Sequence, residues 1–166
     1  MTPLPILDPD LLAGVALFAF ASPITPGPNN MMLMASGANF GFRRTLPHWC
    51  GVVVGFTGLL LACGLGLGSL FVTFPLLHDI LKWAGATYLV WLAIKIMTTK
   101  GLSSAKDQSK PMTFFGAAMF QFVNVKAWAM AIGAVTTYVP TQNYFGNLLV
   151  VTAVVAAVNA PCVATW

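Results

Sequence analysis

The chain reads as an all-α, polytopic transmembrane helical bundle, and three observations carry that reading. Hydrophobic residues make up 58% of its 166 residues and charged residues only 7%, where an ordinary soluble domain is roughly a quarter charged. Five apolar runs approach or exceed the roughly 20 residues that a helix needs to cross a bilayer. The basic residues gather in two clusters between those runs. With so little charge a soluble fold of this size could not cover its surface with polar groups, whereas lipid tails accept an apolar exterior. The runs are also too long and unbroken for barrel strands, which alternate over about ten residues.

The first span covers about residues 11–40 and contains Pro23, Pro26 and Pro28. It is not a secretory signal, because Asp8 and Asp10 precede it and no Lys or Arg does. The second covers about 46–74 and is rich in glycine, with Gly51, Gly55, Gly58, Gly64, Gly66 and Gly68. Small residues let helices approach closely in lipid, so this stripe predicts a packing face. The third covers about 80–97. A polar connection, 98–111, follows with Lys100, Lys106, Asp107 and Lys110. The fourth covers about 112–139 and the fifth about 144–166. Trp83, Tyr88, Trp91, Trp128 and Trp166 serve either as interface anchors or as packing residues. No second, soluble domain fits, and residues 1–166 form a single transmembrane domain.

Charge fixes the expected orientation. Arg43 and Arg44 separate the first two spans, and Lys95, Lys100, Lys106 and Lys110 separate the third from the fourth. Two spans lie between the clusters, so both fall on one side, which the positive-inside rule makes the cytoplasm. The N-terminus is then outside. The net charge of +4 serves this orientation. It forms no basic stripe with a stacking platform, so nucleic acid is not an expected partner.

Two stretches break the apolar pattern. Ser22-Pro23-Ile24-Thr25-Pro26-Gly27-Pro28-Asn29-Asn30 holds three prolines in six positions. Each proline removes a backbone donor and clashes with the preceding turn, and Gly27 adds backbone freedom, so Pro23, Pro26, Gly27 and Pro28 predict a hinge. Carbonyls freed inside a membrane must find partners in protein or in a water-lined cavity. Asn29 and Asn30 follow as hydrogen-bonding side chains. The second stretch is Gln121-Phe122-Val123-Asn124-Val125-Lys126. A lysine within an apolar run is costly and marks a functional-site candidate, unless it snorkels to an interface. Breaks in the first and fourth spans are the arrangement expected of two inverted three-helix repeats, about 8–97 and 112–166, with a substrate site between them. No Asp or Glu lies deep in a span. His48 and Asp79 could titrate but read as helix-end residues. Cys50, Cys63 and Cys162 form no C-x-x-C pair, and no His/Cys spacing fits a metal. No cofactor is expected.

At these residues the chain resembles the lysine exporter and homoserine/threonine exporter superfamily of bacterial amino-acid efflux proteins. Thr25-Pro26-Gly27-Pro28-Asn29 is similar to that family's first-helix signature and Gly41-Phe42-Arg43 to its first loop. Trp83-Ala84-Gly85-Ala86-Thr87-Tyr88-Leu89 and Trp91-Leu92-Ala93-Ile94-Lys95 resemble its third-helix pattern. Many members carry Asn-Pro-Lys in the fourth span. Asn124-Val125-Lys126 departs from this and resembles the cysteine/O-acetylserine exporter branch. Family members usually have six helices, so the resemblance implies that the last helix is absent here and the second repeat incomplete.

The resemblance implies a bacterial inner-membrane exporter, not an enzyme, that works by alternating access on the proton gradient. Its expected partners are a small amino-acid substrate and the lipid bilayer, with homo-oligomers allowed. Cysteine and O-acetylserine lead as substrates, ahead of homoserine, threonine or other amino acids. Lys126 would meet the substrate carboxylate, beside a half-helix N-terminus near Asn29. Asn30, Asn124 and Gln121 would supply hydrogen bonds. Two rivals stand beside this reading: a membrane disulfide reductase, disfavoured by the cysteine spacing, and a truncated, non-transporting membrane protein.

Overall fold

In the computed structural model the described residues are 8–67 and 110–166, together with Thr73, Leu76, Ile80, Trp83, Thr87, Val90 and Ile94 singly. These residues are all-α. The expected third span and the connection after it otherwise lie outside the described residues, as does Asp79.

Helix α1 (Pro9–Ile24) starts with proline in its first turn and with the Asp8 carboxylate accepting from the Asp10 N–H. Helix α2 (Pro28–Phe40) again begins on a proline, a position whose missing N–H removes no intrahelical bond. Between them residues 25–27 are non-helical, and the axis turns by 59°. Gly41, at φ 78°, is the sole residue between α2 and α3 (Phe42–Ala62). A side chain would be strained there. Helix α3 starts earlier than the apolar run does, because Arg43 and Arg44 form its exposed first turn. An exposed helix end accepts charge that a hydropathy pattern excludes. A π-helical turn, Cys63–Leu67, follows α3 and is kinked at Gly66, whose φ of 112° is not helical.

Helix α4 (Phe114–Phe120) is capped by Thr113, whose hydroxyl accepts from the Gly116 N–H at 3.1 Å. It ends in a tightened turn in which the N–H groups of Gln121 through Asn124 each reach back three residues. Helix α5 (Val125–Tyr138) then departs at 66°. Helix α6 (Tyr144–Ala164) is a single span. The spans expected at 11–40, 46–74, 112–139 and 144–166 are therefore helical over their described residues, and the first and fourth are broken.

Helix α3 is the centre of the packing, against α2, α4, α5 and α6, while α1 lies along α6. A Cβ on Gly55 would stand 2.6 Å from Ala118 Cα, and one on Gly51 would overlap the Phe114 carbonyl and Ala117. The glycine stripe thus packs on α4 at these two positions, whereas Gly58 faces open space. Ala127, Ala131 and Ala134 bring the apolar face of α5 against Val15, Leu59, Leu60 and Val151. Leu17, Phe20, Phe115, Phe145 and Leu149 point outward, as suits a chain whose exterior is lipid rather than water.

Candidate functional site

The two helix breaks meet. Prolines at 26 and 28 leave the end of α1 with carbonyls that the chain cannot satisfy by helical bonding. Those of Ser22, Pro23, Thr25 and Pro26 find side-chain donors. The Thr25 hydroxyl donates to the Ser22 carbonyl at 2.7 Å. Asn30 Nδ2 donates to the Pro23 carbonyl at 2.6 Å and to the Thr25 carbonyl at 3.0 Å. Lys126 crosses from the other break, and its Nζ donates to the Thr25 carbonyl at 2.6 Å, the Thr25 hydroxyl at 2.7 Å and the Pro26 carbonyl at 3.3 Å. The ammonium therefore sits on the C-terminal end of α1, where the helix dipole places partial negative charge. It reaches across to the first break.

A second tie joins the breaks. Asn29 Nδ2 donates to Gln121 Oε1 at 2.8 Å, and Gln121 Nε2 returns a bond to Asn29 Oδ1 at 3.1 Å. Gln121 is fully buried and also donates to the Ala117 carbonyl at 2.9 Å. Asn124 is the N-cap of α5, its side chain accepting from the Lys126 N–H at 3.2 Å. Asparagine is among the best residues for that position. Val125 holds the first helical position, where proline is also favoured, so the fourth-span variation on Asn-Pro-Lys leaves the turn intact. Trp128 Nε1 closes the break by donating to the Phe122 carbonyl at 2.9 Å.

Beside these ties lies a small cavity of about 30 Å³, room for about two waters and too little for an amino acid. Pro23, Gly27, Pro28, Asn29, Asn30, Asn124 and Lys126 line it. Gln121 and Pro26 do not; they act through their bonds to Asn29 and Lys126. The N-termini of α2 and α5 both face the cavity. First-turn N–H groups can serve an anion, although Pro28 has none and that of Lys126 is held by the Asn124 side chain.

Sequence reasoning missed two contributors. Thr25 supplies two of the three acceptors of Lys126. Asn159, on α6, also lines the cavity. Its signal was available, since an amide within an apolar run invites the same question as Lys126. His48 also differs from expectation. It is 2% exposed within α3 rather than at a helix end, and its Nδ1 has no partner among the described residues. Cys50, Cys63 and Cys162 are free thiols.

A family model described as "LysE type translocator" matches residues 20–164. The chain is 36% identical over 137 residues to the cysteine/O-acetylserine efflux protein of Escherichia coli strain K12, covering 82% of this chain and 70% of that protein. The protein of the same description from Shigella sonnei strain Ss046 matches to the same extent. No solved structure matches the chain significantly.

Proposed function

Because the chain belongs to the LysE type translocator family, we propose that it exports small neutral amino acids, with cysteine and O-acetylserine as its substrates. It is a multi-pass membrane transporter and not an enzyme. The observation that carries the proposal is the meeting of two broken helices, in the first and fourth spans, over a lined cavity. Such breaks at corresponding places in two halves mark the substrate site of transporters built from inverted repeats. The relatives' description as cysteine/O-acetylserine efflux proteins and the identity of 36% support the choice of substrates.

Both substrates are zwitterions. The carboxylate belongs with Lys126 and the N-termini of α2 and α5, the positive end of the cavity. Asn30 and Asn124 add hydrogen bonds from the cavity wall, and Gln121 holds Asn29 in register. Lys126 here spends its three N–H groups on Thr25 and Pro26. A substrate carboxylate replaces those carbonyls, so binding loosens the tie between the breaks and lets the hinge at Pro23, Pro26, Gly27 and Pro28 move. The proton gradient drives the cycle, with the N-terminus outside the inner membrane.

The test is export from a bacterial host, measured as extracellular cysteine and O-acetylserine against an empty vector. Lys126→Ala should abolish export with membrane insertion intact. Unchanged export by Lys126→Ala would remove the lysine from the site, and no export by the wild-type chain would remove the function.

A further inference from the structure

We infer that Asn159 receives the substrate's ammonium group. This rests on the reading that the site, widened beyond its present volume of about 30 Å³ when the breaks part, takes a zwitterionic amino acid. Among the described residues lining the cavity Lys126 alone is charged, and none of them is acidic. The wall formed by Lys126 and two helix N-termini repels an ammonium. That group must therefore be held by neutral oxygens, and it needs up to three of them.

Few side-chain oxygens at the cavity are free for it. Asn29 Oδ1 is taken by Gln121, and the Asn124 side-chain oxygen is taken by the Lys126 N–H. Asn30 has its Nδ2 committed to the Pro23 and Thr25 carbonyls, which leaves its oxygen to offer. Asn159 is different from all of these. It is 3% exposed, sits on α6 and lines the cavity. Its amide makes no side-chain hydrogen bond among the described residues. It is also not one of the sealed orphans, which are His48 Nδ1, Asn147 Oδ1 and Thr152 Oγ1. A buried amide is normally satisfied. One that is unsatisfied and turned to a cavity has its partner in what the cavity takes up.

Asn159 also comes from a helix outside both breaks. Its neighbour Ala160 is tied to α3, with Trp49 Nε1 donating to the Ala160 carbonyl at 3.0 Å. The ammonium would then be held on a fixed wall while the carboxylate is held by the movable one. Recognition of both charges at once requires the two walls to stand at a zwitterion's spacing, so closure is tied to the presence of an α-amino acid.

The experiment is uptake of labelled cysteine into everted membrane vesicles, with 3-mercaptopropionate, which lacks the amine, as competitor. Asn159→Leu should raise the apparent KM for cysteine by about tenfold, the loss of one charge-assisted hydrogen bond. Inhibition by 3-mercaptopropionate should stay within about twofold of wild type on the same reasoning. Asn159→Asp should restore cysteine affinity. If Asn159→Leu fails to insert, Asn159→Ser carries the same readout. Equal weakening of cysteine and of 3-mercaptopropionate, or an unchanged KM, would overturn the assignment while leaving the export reading in place. Wild-type vesicles that take up no cysteine would overturn the export reading itself.

Discussion

Adding one methyl group at Gly27 should release Lys126 without touching any functional group. Gly27 has φ −169° and ψ 176°, extended backbone open to any residue. A Cβ there would lie 2.9 Å from Lys126 Cδ and 3.1 Å from its Nζ. Ordinary carbon contacts begin near 3.5 Å, so the lysine must withdraw by several tenths of an ångström. Its bond to the Pro26 carbonyl, already 3.3 Å long, breaks first, and the two shorter bonds to Thr25 stretch. A hydrogen bond from a charged group contributes about 1.5–3 kcal/mol. The half-buried ammonium can recover some of this from water, so a loss of about 1–2 kcal/mol is expected. Alanine is also a poorer N-cap than glycine, by about 1 kcal/mol. Gly27→Ser separates the two effects, since it adds the same Cβ but caps well. Thermal unfolding in detergent and cysteine export, measured on both variants, are the assays. Both should be destabilised and should export more slowly. If Gly27→Ser matches wild type in both, the lysine contact does not hold the break.

Two more substitutions probe the framework around the site. Val125→Pro should be tolerated, with stability unchanged or raised by about 0.4–1 kcal/mol; Val125 holds the first position of α5 and Asn124 before it is already extended, at φ −86° and ψ 101°. A marked loss of expression or melting temperature would place the start of α5 elsewhere. Gly55→Leu should destabilise the chain by at least the 1–3 kcal/mol typical of overpacking, because the α4 backbone at Ala118 occupies the space. Wild-type thermal stability in that variant would mean that α3 and α4 are not in close contact.

Much of this site could be read from residue order. The prolines at 23, 26 and 28 announce a broken helix because a missing N–H is a local property of the chain. Lys126 announces itself by its cost in an apolar run. What order alone could not supply is the partner of each group. The contact between Lys126 and Thr25 joins residues 101 positions apart, and it follows from how two bent spans cross. Gln121 read as a ligand because it is polar and lies beside a break, yet its amide is saturated by Asn29 and the Ala117 carbonyl. Arg43 and Arg44 were expected in a loop because charge ends an apolar run, although it does not end a helix. Asn159 escaped notice for the opposite reason. It is a single neutral residue, with no proline near enough before it to draw attention to the backbone.

The contact between α3 and α4 has a mechanical meaning. Two backbones pressed together with no side chain at Gly51 and Gly55 have nothing to slide over, and neither helix can rotate without a collision. They form one beam. That beam takes one member from before residues 98–111 and one from after them, so the closest backbone packing joins distant parts of the sequence. The chain bends instead at the two elbows, residues 25–27 and 121–124, by 59° between α1 and α2 and by 66° between α4 and α5.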